Sequence, residues 1–156
     1  ILLHEKIIKK FGIQILKDLE DNGCKIIGDN KIRKFYNKKI KKASIKDWSK
    51  EYLAPIVSVK IVNNFKDAIK HINQYGTMHT DAIITKNTSV AKIFLKEVKS
   101  SIAMQNTSTQ YADGGEFGFG GEVGISTNTL PPRGPIGLNQ LVSYKYQVTS
   151  NGKIRK

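Results

Sequence analysis

Between Gln105 and Thr127 the chain reads QNTSTQYADGGEFGFGGEVGIST, a stretch where hydrogen-bonding side chains alternate with a backbone free to bend. Asn106, Ser108 and Thr109 can bind a polar ligand, and Gly114, Gly115, Gly118, Gly120, Gly121 and Gly124 surround Phe117 and Phe119. Glycine loses the most entropy on ordering, so such density marks either a backbone fitted closely to a ligand or a mobile loop. Two Phe and a Val-Gly-Ile run favour an ordered, site-forming segment. The other candidate groups offer less. His4, His71, His79 and Cys24 have no metal-ligand spacing. Gly118-Phe119-Gly120 is not preceded directly by a strand, as a dinucleotide-binding loop requires. Cys24 follows a helix-ending Gly23, where a structural thiol is expected. Asp81 and Asp113 read as turn or cap residues.

The elements that must position this loop are legible from periodicity. Ile7, Ile8, Phe11, Ile15, Leu16 and Leu19 form one helical stripe, which Asn22-Gly23 ends. Cys24–Ile27 reads as a strand. Lys31–Lys50 stays ambiguous, with a strand near Ile40 and a short helix opened by Ser44 and Asp47, Trp48 inward. Ile56–Val62 is a strand. Asn63 or Asn64 caps a helix burying Phe65, Ala68, Ile69 and Ile72, which ends near Tyr75-Gly76. Ala82–Thr85 is a strand, Asn87 or Thr88 caps a helix burying Val90, Ile93, Phe94 and Val98, and Ile102–Gln105 is a third strand. This alternation predicts a parallel α/β sheet with ligands beyond the strands' carboxyl ends, where Asn106 begins. Pro131–Pro135 breaks regular structure, Gly137–Leu141 suits one helical turn, and Val142–Thr149 with Asn151-Gly152 predicts a terminal hairpin. That hairpin must pack on the same domain, another domain or a second subunit.

At 156 residues the chain suits one domain with a real core. Its net charge of +13 would attract polyanions, yet only three of its 26 basic residues are Arg, so a solvated Lys-rich surface is expected rather than a nucleic-acid site. No apolar run is long enough to span a membrane. A single Cys cannot form an internal disulfide and fits a cytoplasmic setting. The start at Ile1, without Met, reads as the cut edge of a longer polypeptide.

The run VNNFKDAIKHINQYGTMHTDAI resembles the signature of the gamma-glutamyl phosphate reductases, the proline-synthesis branch of the aldehyde dehydrogenase superfamily. The matching positions are Val62, Ala68, His71-Ile72, Tyr75-Gly76, His79-Thr80-Asp81 and Ile83. The glycine-rich loop, RGPIGL and SYKY resemble further stretches of that family. The resemblance implies a three-layer catalytic domain of the aldehyde dehydrogenase fold over residues 1–130, with a mostly parallel sheet. Residues 131–156 would be a β-hairpin tail for oligomerisation or cross-domain pairing. It implies NADPH-dependent reduction of L-glutamyl 5-phosphate to glutamate 5-semialdehyde by a homo-oligomer, with possible association with glutamate 5-kinase. The nucleophilic Cys would lie upstream of Ile1, leaving these residues inactive alone. Glu51, in KEYLAPIV, matches a Glu that contacts the nicotinamide ribose, although Leu53 and Ala54 replace the usual Phe and Gly; the other reading is a surface Glu capping a strand entry. Asn106, Ser108 and Thr109 match a substrate loop for the glutamyl carboxylate and amine, with Gln110 where the family has Arg. His79 would bind phosphate or donate a proton, or serve as a structural hydrogen-bonding His, and Phe117 would line the pocket. His79 precedes its strand whereas Asn106 follows one, which sets them on opposite edges of a parallel sheet. The competing readings are an aldehyde dehydrogenase for another acyl substrate and a basic nucleic-acid-binding module.

Overall fold

The computed structural model describes residues 1–36 and 39–155. Asn37 and Lys38, within the connection left open above, and Lys156, the end of the expected hairpin, lie outside the described residues. β1 (Leu2–His4) leads into α1 (Glu5–Ile7), a π turn over Ile8–Gly12, and α2 (Ile13–Asp21). A π turn winds in one extra residue and so rotates the apolar stripe. Ile8 and Leu16 are buried, with Ile15 and Leu19 packed beside them, whereas Ile7 and Phe11, expected on the same buried stripe, are exposed. The helix ends as expected: Gly23 has φ +75°, and the Cys24 amide donates to the Leu19 carbonyl at 2.8 Å.

β2 (Lys25–Gly28), α3 (Asn30–Tyr36) and β3 (Lys41–Lys42) follow, then a 3-10 turn over Ile45–Trp48. β4 (Ile56–Val62), α4 (Phe65–Tyr75), β5 (Thr80–Ile83), α5 (Thr88–Glu97) and β6 (Ile102–Gln105) complete the regular part. The expected caps are in place: Asn64 Oδ1 accepts the Asp67 amide at 2.9 Å, and Asn87 Oδ1 accepts the Val90 amide at 3.0 Å. The α/β class holds and parallel pairing dominates, but the strands divide differently from expectation. β4 does not continue into one sheet with β5 and β6. It lies between β1 and β2 in a parallel sheet of order β1-β4-β2-β3, while β5 and β6 form a separate parallel pair. Both edges of β4 are already hydrogen-bonded, so α4 must carry the chain away to start a new pair. Two cores result. Leu3, Ile8, Leu16, Ile26, Ile32 and Val59 fill one, while Ile69, Phe94 and Val98 form the other beneath α4 and α5.

Beyond β6, β7 (Gly124–Ser126) and β8 (Gly134–Ile136) pair antiparallel, and Leu138–Gln140 makes the anticipated helical turn. Val142–Thr149, expected as a hairpin strand, pairs with nothing among the described residues. Residues 141–155 are all exposed, Val142, Tyr144, Tyr146 and Val148 among them, and the Tyr144 and Tyr146 rings meet edge to face with 5.6 Å between centres.

Candidate functional site

The glycine-rich loop is ordered, and it starts from a staple. Asn106 stands at φ +55°, a conformation Asn tolerates better than most residues. Its Oδ1 accepts the Thr85 amide at 2.8 Å and its Nδ2 donates to the Thr85 carbonyl at 2.9 Å. Asn106 therefore ties the carboxyl ends of β5 and β6 together, and both of its polar groups are spent on backbone. Ser108 Oγ accepts the Gln110 amide at 3.2 Å and opens a 3-10 turn over Thr109–Tyr111 that packs along β5. Asp113 acts as the anticipated turn residue, its Oδ1 accepting the Gly115 amide at 2.7 Å and the Glu116 amide at 3.3 Å. Gly114 is buried, its amide donating to Glu122 Oε2 at 2.7 Å, and a Cβ there would sit 2.8 Å from the Glu122 Cβ. Tyr111, Phe117 and Phe119 stack edge to face or tilted at 6.4 and 6.3 Å between ring centres. Phe117 is partly exposed and lines neither of the hollows described below.

The loop then returns to the opposite end of the β5–β6 pair. Ser101 Oγ donates to the Ser126 carbonyl at 2.8 Å, and the Arg133 guanidinium donates to the Lys99 carbonyl. His79 stands at this amino end. Its carbonyl accepts the Ile102 amide at 3.0 Å, its Nδ1 lies 2.7 Å from Thr80 Oγ1, and it is exposed. The structure brings Ser101 and the loop's return at Ser126 toward His79, and keeps Asn106 at the far end of the pair. Asp81 lies inside β5 and is no turn residue. Its carboxyl receives the Ser100 hydroxyl at 2.5 Å, and burial raises its pKa against the opposing pull of that hydrogen bond.

Glu51 lies in the irregular segment between the 3-10 turn and β4. Its carboxylate is exposed and makes no hydrogen bond among the described residues, so its oxygens remain free to accept. The neighbouring Tyr52 is heavily engaged. Its hydroxyl donates to Asp47 Oδ1 at 2.8 Å and lies 2.8 Å from Ser58 Oγ, which donates to the Asp47 carbonyl at 3.1 Å. Asp47 Oδ2 accepts from the Ser44 hydroxyl at 2.6 Å and the Ser44 amide at 2.7 Å. These bonds, the Ser44 hydroxyl foremost, hold the Asp47 carboxyl at about 2. The Ser44/Asp47 box was legible in the sequence, but the part played by Tyr52 was not.

Trp48, His71 and Tyr75 form an aromatic cluster, with Lys60 Nζ 3.1 Å from His71 Nδ1. Burial first, then the charge of Lys60, pushes the His71 pKa down to about 4. His71 lines two shallow hollows. One of about 520 Å³ lies at the carboxyl ends of β2 and β4, among Asp29, Lys31 and Lys70; the other, of about 400 Å³, lies at the amino end of β4 beside Tyr52 and Asp81. Neither reaches the glycine-rich loop. Among the described residues no group of His, Cys, Asp or Glu could hold a metal ion, and no helix is long and apolar enough to cross a membrane. Cys24 is half-buried at the junction of α2 and β2, with its amide committed to the helix end.

Residues 41–145 match the model of the aldehyde dehydrogenase family. The gamma-glutamyl phosphate reductase of Clostridium botulinum (strain Eklund 17B) is 45% identical over 155 residues, covering 99% of this chain and 37% of that protein. That of Picosynechococcus sp. is 47% identical over 154 residues, covering 99% of this chain and 36% of its own length. The crystal structure of gamma-glutamyl phosphate reductase from Thermotoga maritima superposes with a TM-score of 0.93 at 41% identity, covering 99% of this chain and 37% of that one. The Saccharomyces cerevisiae enzyme superposes at 0.56 with 29% identity, over 75% of this chain and 30% of its own. The chain thus spans a little over a third of the length of the two bacterial relatives it matches in sequence. The chain belongs to the aldehyde dehydrogenase family, within which it is strongly and repeatedly similar to gamma-glutamyl phosphate reductases.

Proposed function

We propose that this chain is the C-terminal part of an NADPH-dependent gamma-glutamyl phosphate reductase, which converts L-glutamyl 5-phosphate to L-glutamate 5-semialdehyde and phosphate in proline biosynthesis. The observation that carries the reading is the near-complete superposition on a reductase of that name at 41% identity. The cysteine nucleophile is supplied from residues outside these 156, so the segment alone is inactive. Its thiolate attacks the acyl carbon, the C–O bond to phosphate breaks, and a thioester remains. NADPH would supply the hydride to the thioester carbon, after which the C–S bond breaks, returning the thiolate and releasing the aldehyde. Within this chain Glu51 accepts from the ribose hydroxyls of the nucleotide. Ser108 and Thr109 bind the amino-acid end of the substrate through hydroxyls, Phe117 walls the pocket, and His79 contacts the phosphate.

The protein is proposed to act in the cytoplasm as a homo-oligomer. Support for assembly comes from the exposed Val142, Tyr144, Tyr146 and Val148 in the tail. An acyl phosphate must be made by phosphoryl transfer to a carboxylate, which fits association with glutamate 5-kinase. The test is oxidation of glutamate 5-semialdehyde by the full-length protein with NADP⁺. Strict dependence on added phosphate is expected, whereas phosphate-independent turnover, or none, overturns the proposal. Ser108→Ala is expected to raise KM for glutamyl phosphate several-fold, and an unchanged KM removes Ser108 from the site.

A further inference from the structure

We propose that Tyr52 is a positioning residue for nucleotide binding: its phenol clamps the segment that presents the Glu51 carboxylate to ribose hydroxyls. The inference rests on the reading of Glu51 as the ribose acceptor and adds what holds it in place. The segment between Ser49 and Pro55 has no helix or strand to stiffen it. Leu53 stands at φ +49° and is 89% exposed, so it holds a left-handed conformation with almost no packing of its own. Glu51 has no hydrogen bond to fix its side chain. Its position must therefore come from its neighbours, and Tyr52 is the neighbour anchored at both sides.

One anchor is the 3-10 turn. Its Asp47 carboxylate accepts the Tyr52 hydroxyl through Oδ1 at 2.8 Å, while Oδ2 is itself fixed by Ser44. The second anchor is β4, where Ser58 Oγ lies 2.8 Å from the phenol oxygen and donates to the Asp47 carbonyl at 3.1 Å. The three groups close a ring that joins the turn before Glu51 to the strand after it. Lys50 Nζ sits 5.4 Å from the centre of the Tyr52 ring, which also holds the ring from the solvent side. A phenol bonded to a carboxylate is a strong neutral-to-ion contact, and a short carboxylate side chain on a flexible segment needs such a contact to bind without a large ordering cost.

The test uses the full-length protein and an equilibrium readout: NADPH dissociation constants by nucleotide fluorescence, with KM values and melting midpoints alongside. Tyr52→Phe removes only the hydroxyl, and Ser58→Ala removes the second anchor independently. Tyr52→Phe is expected to weaken NADPH binding about 3- to 10-fold, with KM for glutamyl phosphate within twofold of wild type. Ser58→Ala is expected to act in the same direction and less strongly. Glu51→Gln should weaken binding on its own, and adding Tyr52→Phe to it should have much less than its single effect, because the phenol acts through the carboxylate. If Glu51→Gln weakens NADPH binding and Tyr52→Phe does not, the clamp is refuted and the Glu51 reading stands. If Glu51→Gln leaves binding unchanged, both are refuted. A Tyr52→Phe variant that raises both KM values together and lowers the melting midpoint shows a general folding role, which also overturns the proposal.

Discussion

Asn106 is the sharpest place to test the reading of the loop as a stapled segment. Its side chain makes two hydrogen bonds to the Thr85 backbone, and its φ of +55° lies where a Cβ is disfavoured. Because Asn106 is exposed, water replaces part of each bond, so the pair is worth roughly 1–2 kcal/mol together. Placing Ala in the left-handed region adds about 1 kcal/mol. Asn106→Ala should then destabilise the junction by about 2–3 kcal/mol, and Asn106→Gly by about 1–2 kcal/mol because Gly keeps the backbone conformation. Asn106→Asp retains the acceptor for the Thr85 amide but turns a carboxylate oxygen toward the Thr85 carbonyl, so it should be no better than Gly. Amide hydrogen exchange across residues 83–90 and 104–108 reads the local opening directly. A 2–3 kcal/mol loss corresponds to roughly 30- to 160-fold faster exchange of the Thr85 amide. Equal effects of Ala and Gly would remove the strain component. Exchange within about twofold of wild type for all three variants would refute the staple altogether.

The two remaining predictions concern pH and packing. His71 is held neutral, its pKa lowered from 6.5 to about 4, so between those values the unfolded chain binds the proton that the folded chain refuses. The associated stability is present above pH 6.5 and is lost as pH falls toward 4; with the ring half-exposed, about 1 kcal/mol is expected after solvent screening. His71→Gln should flatten that slope in urea midpoints taken from pH 7.5 to 4.5, and an unaltered slope would show that His71 is not its source. Gly114→Ala would force a Cβ to 2.8 Å from the Glu122 Cβ, an atom with no freedom to swing aside. Overpacking of about 1–3 kcal/mol should loosen the loop. Limited proteolysis between Asp113 and Val123 should accelerate severalfold, and an unchanged cleavage rate would count against the contact.

How far the sequence went can be judged from particular residues. The caps Asn64 and Asn87 and the stop at Gly23 were readable because each acts on its own neighbours within four positions. Phe94 and Ile69 were readable because helical spacing alone puts them inward. Ile7 and Phe11 misled, since a π turn leaves the residues unchanged while rotating their face. The partners of β4 were also out of reach. Strand pairing across Leu3, Ile26 and Val59 joins positions more than twenty residues apart, and no local pattern encodes it. At the site the sequence singled out Glu51, Asn106 and His79 by type and resemblance. It gave no hint that Asn106 is consumed by Thr85, or that Tyr52 rather than Glu51 makes the hydrogen bonds in its segment.

The loop's course also changes which of its residues can work together. Asn106 and His79 flank opposite ends of a parallel pair four residues long, about five residue steps or roughly 16 Å apart at 3.3 Å per residue. A small substrate would not readily reach both. The Thr109–Tyr111 turn, however, packs along β5, and the chain has reached the His79 end by Ser126. Ser108 has part of its hydroxyl committed to the Gln110 amide, whereas Thr109 is exposed with its side chain uncommitted. Thr109 therefore keeps a hydroxyl to offer where the Asn106 amide has none left. The first polar residue of the loop holds the scaffold, which leaves the hydroxyls after it as the groups that the proposed substrate contact would use.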